Sequence, residues 1–596
     1  MNIRLLGFLI VLTVLRLVYI AHVGLMPDEA YYHEWSQRLD GWYFSKGPGI
    51  ALAMKASTAI FGHTEFGVRF FAPILALGTM LLLHWLAKRL YDERVAFWTV
   101  LVASVTPIFN VGALVMTIDA PSIFFWAAAL CTLWLALEKS PAFSGWWPLS
   151  GLLIGIGWLF KMTNAEMLPC LLFLLLLTPR HRRELLRPGF WSMSLVFVPF
   201  TLPFFYWNLA NGWPTTTHLA ARGGLETPWW QIDWGKFIEF AGLQFGVYSP
   251  LIFYAMMAAL VVTVGPSFRR WGSALVRGLV ALPGSLRKLW MGWAFVLVAS
   301  ASLWLAGNFF EMPFLHTAAF IPVVLALIVF VAWRKDAANM RWKSRFLAAF
   351  ALPLLFINIW LALHHKTEPN WTAPAFVGLI VLSAAHWLEQ RALRRVRVYS
   401  AWALALGAAV SVVAVDTDLL RAVGVPLSYD RDPSARLRGW SEAARKVDEF
   451  RQTIEQQSGQ KVFLIANSYG TAAELSFYLP EKRIESPGHP PVYVPESPVA
   501  ENQFHFWGRY DEFEERKVPI INDQEDSKEY GVSRFAGRTA LYITDRPWEE
   551  SPPEVLVRTF ERWERKTMFE FSQDGQPLRE VKIFVCYRYK PGLLLD

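Results

Sequence analysis

Apolar stretches long enough to cross a lipid bilayer recur along this 596-residue chain from its first residues to about residue 415. A hydrocarbon core of about 30 Å needs roughly 20 helical residues. The composition agrees, since 54% of the residues are hydrophobic, only 18% are charged and the mean hydropathy is +0.29. These values exclude a disordered or coiled-coil chain and argue against an ordinary soluble enzyme. The pattern predicts a polytopic α-helical membrane protein.

We predict about 13 transmembrane helices. The fifth and sixth are short, and Lys161 between them leaves open a single broken or re-entrant element. Arg16 interrupts the first, and no small-residue cleavage site follows it, so we interpret this helix as a retained span rather than a signal peptide. The predicted spans are residues 5–21, 67–87, 95–115, 121–138, 147–160, 164–178, 190–208, 241–264, 290–307, 314–333, 346–363, 372–389 and 398–415.

Basic residues are distributed unequally between the loops. One alternating set of segments, which begins with Arg4, carries 23 lysines and arginines, whereas the opposite set carries 8. The opposite set comprises residues 22–69, 161, 209–240, 308–316 and 364–371. By the positive-inside rule the basic set is cytoplasmic, and so is the N-terminus. An odd number of spans then exports everything after residue 415, which predicts a multi-pass membrane protein with an exported C-terminal domain.

Net charge also separates two regions, a transmembrane domain over residues 1–415 and a soluble domain over 416–596. Residues 1–397 carry +14 and residues 398–596 carry −6, which together give the total of +8. The basic balance therefore reflects topology and does not indicate nucleic-acid binding. The three cysteines cannot pair within the exported domain, because only Cys586 lies there, and this is compatible with a bacterial periplasm.

The C-terminal region has the pattern of a small α/β domain, and about 180 residues suffice to bury a core. Two of its segments, 467–471 and 502–507, mix amides with aromatic residues as sugar-contacting surfaces do, although a helix cap and core aromatics explain them almost as well. The predicted elements are helices at 434–457 and 471–479, strands at 461–466, 540–544 and 581–589, and loops at 487–498 and 511–529.

A first polar cluster follows the first span, in Met26-Pro-Asp-Glu-Ala-Tyr-Tyr-His-Glu-Trp35. A proline followed by two acids is typical of a helix N-terminus, so compensation of the helix dipole is one interpretation. The cluster also concentrates carboxylates, an imidazole and aromatic rings at a membrane interface, which favours a site. The candidate residues are Asp28, Glu29, Tyr31, Tyr32 and His33.

Lys46 and Asp119 are two further candidates. Lys46 lies among aromatic residues before a Gly-Pro-Gly turn and can present its ammonium to a lipid phosphate. The alternative is an interfacial lysine whose side chain only extends to the water at the membrane surface. Asp119 lies in Met116-Thr-Ile-Asp-Ala-Pro121, a tight turn between two spans. One interpretation is that Asp119 only caps the helix that follows. The other is a functional role, because an ionisable group at the end of an apolar hairpin is a functional hypothesis by default.

A third cluster lies between the eleventh and twelfth spans, in His364-His-Lys-Thr-Glu-Pro-Asn-Trp371. A plain connection needs far less polarity, so we interpret the segment as a binding site for a charged headgroup or a sugar. The adjacent histidines lack the i, i+4 spacing of helical zinc ligands, which makes a metal the weaker interpretation. The candidate residues are His364, His365, Lys366, Glu368, Asn370 and Trp371.

At these positions the sequence resembles the bacterial membrane glycosyltransferases of GT-C fold, families 39 and 83, related to protein O-mannosyltransferases and to the aminoarabinose transferase that modifies lipid A. One departure is Gly47, which stands at the first proline of that family's Lys-Pro-Pro-Gly loop. The matching residues are Asp28-Glu29, Tyr31-Tyr32, Phe44-Ser-Lys-Gly-Pro-Gly49, Thr117-Ile-Asp-Ala-Pro121, Gly157-Trp-Leu-Phe-Lys161 and Lys366-Thr-Glu-Pro-Asn-Trp371.

The resemblance implies a GT-C transferase that moves a sugar from a polyprenyl-phosphate carrier to an acceptor hydroxyl on an envelope lipid, glycan or protein. We expect an inverting displacement with Asp28 and Asp119 as catalytic residues, Asp28 being the general base. Lys46, Lys161 and Lys366 are expected to bind the donor phosphate, where charge develops in the transition state. Asp119 and Glu29 are expected to orient substrate or bind a divalent cation, the one cofactor the residues suggest.

Two other classes of function remain as alternatives. A polytopic lipid or glycan transporter or flippase would be expected to carry charges near the middle of its spans or broken helices in two related halves. Here Arg16 is the clearest charge inside a span, and the acidic residues gather at span ends. A receptor or scaffold module with a membrane anchor is the second alternative, but 13 predicted spans are far more than an anchor needs.

Overall fold

The structure, a computed structural model, describes residues 1–139, 143–223, 231–279, 342–425, 432–511, 533–573 and 576–591. Its contacts divide the chain into two compact units. The membrane unit comprises Met1–Leu17, Lys46–Gly49 and Phe71–Val415. The sheet unit comprises Val18–Ser45, Ile50–Phe70 and Asp416–Asp596, so it contains most of the first predicted outer loop as well as the C-terminal region.

The membrane unit is helical throughout its described residues. Its core is built from leucine, alanine, valine and aromatic side chains of neighbouring helices. Its helices are Ile3–Ile20 (which continues into the sheet unit), Phe71–Leu90, Glu93–Ser104, Pro107–Val111, Asp119–Lys139, Trp146–Phe160, Met167–Leu177, Pro188–Phe197, Leu202–Asn211, Pro214–Arg222, Trp234–Tyr248, Pro250–Leu279, Trp342–Ala349, Leu352–His364, Ala373–Glu389 and Arg394–Val415. Its 3₁₀ turns are Met162–Glu166, Pro179–Leu186, Val198–Thr201 and Pro369–Thr372.

Among the described residues, seven helices, or eight if one bent pair counts as a single span, are long and apolar enough to cross a membrane. A polytopic α-helical protein with a C-terminal sheet domain is therefore confirmed. The bent pair, Trp234–Tyr248 with Pro250–Val264, turns by 107° where the sequence predicts one straight span. Pro250 explains the break, because proline lacks the N–H that would continue the helix. The predicted spans at 290–307 and 314–333 lie outside the described residues.

The predicted span at 95–115 is interrupted, and Arg16 is bound at the interruption. The helix Glu93–Ser104 ends before Pro107 begins a second short helix. The guanidinium of Arg16 donates to Oδ1 of Asn110 at 2.6 Å, and Nδ2 of Asn110 donates to the carbonyl of Ser104 at 2.8 Å. A charge that seemed isolated within the first span is thus part of the packing between helices.

The first predicted outer loop, 22–69, folds mainly into helices of the sheet unit. Pro27–Gln37 begins at the predicted proline, which confirms the helix N-terminus read from the sequence. The apolar helix Gly49–Phe61 and the short helix Glu65–Arg69 were not predicted, because their segment was assigned to the loop as a whole. The loop is therefore an ordered part of the fold.

The C-terminal region contains a five-stranded mixed sheet with strand order β2-β1-β3-β5-β4. Strand β1 pairs in parallel with β2 and β3, whereas β5 pairs antiparallel with β3 and β4. The strands are β1 Phe463–Ala466, β2 Val492–Tyr493, β3 Ala540–Thr544, β4 Phe560–Gln573 and β5 Gln576–Tyr589. The remaining elements are the helices Asp418–Ala422, Trp440–Ser458, Tyr469–Tyr478 and Glu554–Thr559 and the 3₁₀ turns Pro433–Leu437 and Gln503–Phe506.

The predicted α/β elements of this region occur in the structure, although the helix predicted at 434–457 begins at Trp440, after the separate 3₁₀ turn Pro433–Leu437. Strand β3 has the predicted bounds, and β5 is longer than predicted because it forms a hairpin with β4, which the sequence analysis missed. Strand β2 lies within the segment predicted as the loop 487–498, where its two parallel pairs hold it. The acidic segment after Asp511 lies outside the described residues. The core on one side of the sheet is aromatic, with Phe463, Tyr493, Phe535 and Phe584 buried.

Candidate functional site

In the membrane unit, Asp119 is bound by residues from two distant motifs. Its Oδ1 accepts a bond from Nζ of Lys161 at 2.6 Å, and its Oδ2 accepts one from Nδ2 of Asn370 at 2.9 Å. Asp119 begins the helix Asp119–Lys139, and Lys161 lies in extended conformation directly after Trp146–Phe160. A helix start and a helix end therefore place a carboxylate and an ammonium together.

The break at Lys161 is fixed by a buried amide. Nδ2 of Asn164 donates to the hydroxyl of Ser122 at 2.7 Å and to the carbonyl of Gly157 at 3.2 Å. The carbonyl of Gly157 also accepts the last helical bond, from the backbone N–H of Lys161 at 2.9 Å. The amide of Asn164 therefore ties the end of this helix to the helix that begins at Asp119. The side chain of Lys161 is only 8% exposed. Its geometry is thus set by the fold rather than by solvent.

The turn that carries Asn370 is held by a second polar chain. In the 3₁₀ turn Pro369–Thr372, the hydroxyl of Thr372 donates to Oε1 of Gln244 at 3.0 Å. The hydroxyl of Tyr248 lies 2.9 Å from the hydroxyl of Thr372. Nε2 of Gln244 donates to the carbonyl of Pro369 at 3.4 Å. The helix before the 107° bend therefore supports the turn that binds Asp119.

Lys46 belongs to the same unit through the glycine that follows it. A Cβ atom at Gly47 would lie 2.3 Å from the carbonyl oxygen of Leu159, which is closer than any side chain permits. This close approach explains why glycine occupies the position at which the resembling family has proline. It also brings the Lys46 segment against the chain two residues before Lys161.

The sequence analysis missed Arg222, a cation that acts on the same histidine as Lys46. The helix Pro214–Arg222 was predicted as part of the loop 209–240. Burial of His218, with the positive charges of Lys46 and Arg222, lowers the pKa of that imidazole to about 4. The guanidinium of Arg222 lies 5.5 Å from the ring centre of Trp371 and 3.8 Å from the carboxylate of Glu368. The available signal was Pro214 at a helix start, with Arg222 in the last turn of the nine-residue helix that it begins.

The histidines of the third cluster make mainly backbone contacts. Nδ1 of His364 lies 2.8 Å from the carbonyl of Trp360 within the same helix, and Nε2 of His365 lies 2.7 Å from the carbonyl of Ala221. His365 thereby joins the turn to the helix that ends at Arg222. Lys366 is exposed, unlike the buried Lys161.

In the sheet unit, Asp28 lies in the first turn of the helix Pro27–Gln37, where the helix dipole favours a carboxylate. The hydroxyl of Tyr469, from the first turn of Tyr469–Tyr478, donates to Oδ1 of Asp28 at 3.4 Å. A Cβ at Gly470 would lie 2.9 Å from Cβ of Pro27, so these two helix starts approach closely. The contact joins the first predicted cluster to the C-terminal α/β elements within one unit.

Glu29 forms a buried ion pair with Arg69. The guanidinium donates to Oε1 at 2.8 Å and to Oε2 at 2.5 Å, and the carboxylate also accepts from the backbone N–H of Met26 at 3.0 Å. Arg69 further donates to the carbonyl of Gly24 at 2.6 Å. Glu29 therefore holds the chain entering the helix, whereas its expected contact with substrate stays a prediction.

Three other residues of the first cluster are buried. The hydroxyl of Tyr31 accepts from the backbone N–H of Gln503 at 2.6 Å, and burial raises the pKa of Tyr31. Tyr32 packs edge-on against Trp35. Nε2 of His33 lies 3.0 Å from Nδ1 of His63. Through these contacts the three side chains pack within the sheet unit, and their expected contact with substrate stays a prediction.

The predicted residues thus fall into three groups, two in the membrane unit and one in the sheet unit. The membrane unit brings Asp119, Lys161 and Asn370 together, with a second group formed around Arg222 by Glu368 and Trp371. The sheet unit holds Asp28 and its neighbours. No three histidine, cysteine, aspartate or glutamate side chains converge as metal ligands in the parts of the chain that the structure describes.

Comparison with known proteins agrees with the resemblance read from the motifs. Residues 45–207 match the family described as dolichyl-phosphate-mannose-protein mannosyltransferase. The lipid A galacturonosyltransferase RgtD of Rhizobium johnstonii is 29% identical over 277 residues, which are 45% of this chain and 57% of that protein. The match therefore spans little more than half the length of this relative.

Two further matches extend over more of the chain. The undecaprenyl phosphate-α-4-amino-4-deoxy-L-arabinose arabinosyl transferase of Pseudomonas paraeruginosa is 27% identical over 59% of this chain and 74% of that protein. The crystal structure of ArnT from Cupriavidus metallidurans bound to undecaprenyl phosphate aligns with 97% of both chains, at 15% identity and a TM-score of 0.49. The sequence matches confirm the predicted resemblance: the chain is similar to glycosyltransferases named as protein mannosyltransferases and as sugar transferases of lipid A and of undecaprenyl phosphate-linked arabinose.

Proposed function

We propose that this protein transfers a sugar from a polyprenyl-phosphate donor to an acceptor hydroxyl on an envelope lipid, glycan or protein. The reaction takes place at the outer face of the bacterial inner membrane, with the N-terminus in the cytoplasm and the sheet unit in the periplasm. The unequal distribution of basic residues between the loops supports this orientation.

One observation carries the proposal. Asp119, Lys161 and Asn370 belong to three short motifs that resemble those of transferases, and up to 251 residues separate them in the sequence. In the structure Lys161 and Asn370 both bind the carboxylate of Asp119. A transporter has no need of that particular set, whereas the matched family and relatives are transferases by name. Transfer is therefore favoured over transport.

The donor phosphate is held by cations of the membrane unit. Lys46, with Arg222 close to the same histidine, supplies positive charge outside the ion pair of Lys161 and Asp119. Negative charge grows on the phosphate oxygen as the glycosidic bond breaks, so fixed cations stabilise the transition state more than the ground state. Lys161 orients Asp119, and Asn370 fixes its second oxygen.

The chemical step is a single inverting displacement. The acceptor oxygen forms a bond to the anomeric carbon while the bond from that carbon to the phosphate oxygen breaks, and the leaving polyprenyl phosphate takes the electron pair. Asp28 accepts the proton of the acceptor hydroxyl as general base. The products are the glycosylated acceptor and polyprenyl phosphate.

Reconstituted vesicles test this function. The purified full-length protein is supplied with undecaprenyl-phosphate sugars and with lipid A, and products are identified by mass spectrometry. Transfer predicts an acceptor heavier by one sugar residue and a stoichiometric release of undecaprenyl phosphate. Movement of labelled donor across the vesicle membrane without any covalent product would contradict transfer and support the transport alternative. Envelope lipids from a deletion strain would identify which sugar is lost.

A further inference from the structure

The carboxyl ends of β1 and β3 form a topological switch point in the sheet unit. From β1 the chain runs through the helix Tyr469–Tyr478 to β2 on one side, and later returns to β3 on the other side. In open sheets of this kind, ligands bind at the carboxyl ends of the strands where the direction of winding reverses. Both strands are followed directly by polar residues, Asn467 after β1 and Asp545 after β3.

These two side chains contact each other. Nδ2 of Asn467 donates to Oδ1 of Asp545 at 3.1 Å, and the hydroxyl of Thr471 donates to the same oxygen at 3.3 Å. Arg579 of β5 donates to Oδ2 of Asp545 at 3.4 Å. The carbonyl oxygen Oδ1 of Asn467 is buried and has no hydrogen-bond partner among the described residues. A buried amide oxygen without a partner is costly, and a ligand hydroxyl would satisfy it.

An exposed aromatic residue follows each member of this polar pair closely along the chain. Tyr469, two residues after Asn467, is 39% exposed, and Trp548, three residues after Asp545, is 75% exposed. The ring centre of Tyr469 lies 4.5 Å from that of the buried Tyr31, so packing against Tyr31 fixes the position of Tyr469. We name Asn467, Tyr469, Asp545 and Trp548 the switch-point cluster.

The cluster adjoins the proposed general base. The hydroxyl of Tyr469 donates to Oδ1 of Asp28, and the close approach of Gly470 to Pro27 holds the two helix starts together. A base that removes the proton of the acceptor hydroxyl must contact the acceptor at that step. Groups next to Asp28 are therefore placed to bind the acceptor and not the lipid end of the donor.

We propose that the switch-point cluster binds a saccharide unit of the acceptor, with Tyr469 positioning both Asp28 and the sugar. This inference rests on the proposed function, because it takes Asp28 as the base. An amide and a carboxylate offer donors and acceptors to adjacent sugar hydroxyls, and aromatic faces pack against the apolar side of a pyranose ring. A serine or threonine of a protein presents a single hydroxyl, so the cluster fits a glycolipid headgroup better than a polypeptide.

Kinetics of the full-length protein in lipid nanodiscs test the proposal, with lipid A as the acceptor and the undecaprenyl-phosphate sugar that the wild-type protein uses as the donor. Tyr469→Ala and Asn467→Ala should each raise the acceptor KM by about ten-fold, which corresponds to about 1.4 kcal/mol, with the donor KM changed less than about two-fold. Tyr469→Phe keeps the ring but removes the hydroxyl that donates to Asp28, so it should lower kcat while the acceptor KM stays within about two-fold of the wild-type value.

Tyr587→Phe is the matched control, since its hydroxyl donates to Glu564 on the β4–β5 hairpin and its loss should change neither KM nor kcat. An unchanged acceptor KM in both alanine variants, or an equal rise in donor and acceptor KM, would overturn the subsite. Transfer by the wild-type protein to a serine/threonine peptide but not to lipid A would also overturn it. Absence of any product with the wild-type protein would instead refute the proposed function itself.

Discussion

Lys161 and Asp119 form an ion pair of 2.6 Å between the end of one helix and the start of another. The ammonium is 8% exposed and the carboxylate 20% exposed, so water screens the pair only weakly. Asn370 binds the second carboxylate oxygen. Removing either partner of such a largely buried ion pair leaves the charge of the other without compensation.

Replacement of Lys161 should therefore be more harmful than replacement of Asn370. We expect Lys161→Met to lower kcat for sugar transfer by about 100-fold, or about 2.7 kcal/mol, and Asn370→Ala to lower it by about 10-fold. Steady-state kinetics of the purified variants measure both effects. The double variant with Asp119→Asn should lose much less than the sum of the single losses, since the two residues act as a unit. Strict additivity would show that the ion pair has no shared role.

Arg222 should act on the donor. Its guanidinium lies close to Trp371, and its charge acts on the same buried histidine as that of Lys46. Arg222→Ala should raise the donor KM by about ten-fold and leave the acceptor KM nearly unchanged, because one phosphate-binding cation is lost. Lys236→Ala is a suitable control, since this exposed lysine pairs with Asp233 at a helix start. Equal effects of the two variants would remove Arg222 from the donor site.

The positions of these cations show where sequence reasoning stopped. The three motifs around Asp119, Lys161 and Asn370 were recognisable from local residue types, but their convergence depends on helix packing. Arg222 was missed because its helix carries no long apolar stretch and was counted as loop. Gly47, read as a departure from the family pattern, becomes explicable only when the carbonyl of Leu159 is seen against it.

The ion pair between Glu29 and Arg69 should stabilise the sheet unit. Both side chains are buried, and Arg69 also binds backbone carbonyls before the helix Pro27–Gln37. Arg69→Met should lower the free energy of unfolding by about 3–5 kcal/mol, since it leaves a buried carboxylate without its cation. Thermal unfolding of the full-length protein in detergent measures the loss. Partial recovery in the double variant Glu29→Gln, Arg69→Met is expected, and its absence would contradict a charge-based cause.

A buried acid gives the sheet unit a pH-dependent stability. Burial, with a smaller contribution from Asp511, raises the pKa of Glu496 to about 7. Because this folded-state pKa exceeds the ordinary value of about 4.5, the folded protein holds a proton that the unfolded chain releases. The stabilisation is complete below about pH 4.5 and is lost as the pH rises through 7, by at most about 3 kcal/mol.

Glu496→Gln should therefore flatten the dependence of the unfolding temperature on pH between pH 5 and 8. The unfolding temperature of Glu496→Gln should exceed that of the wild-type protein at pH 8, and the difference should vanish near pH 5. The exposed Glu501 in the same segment provides a matched control, as Glu501→Gln should leave the pH dependence unchanged. A wild-type unfolding temperature that rises steadily from pH 5 to 8 would contradict the assigned direction.

The same division between local pattern and long-range packing holds in the C-terminal region. Strand β3 was predictable because Ala540–Thr544 is a short run of apolar, aromatic and β-branched residues between polar ones. Strand β4 was missed because its charged residues alternate irregularly and its pairing with β5 contains register shifts. The contact of Tyr469 with Asp28 joins residues 441 positions apart, which no spacing rule in the sequence indicates.

The central claim is that Asp28 is the base of a sugar transfer from polyprenyl phosphate. The most direct measurement is the rate at which Asp28→Asn, folded with a wild-type unfolding temperature, forms glycosylated lipid A from the undecaprenyl-phosphate sugar that the wild-type protein uses. The account predicts a fall in kcat of about 10²–10⁴-fold with donor binding retained. A folded Asp28→Asn protein that forms product at the wild-type rate would contradict it.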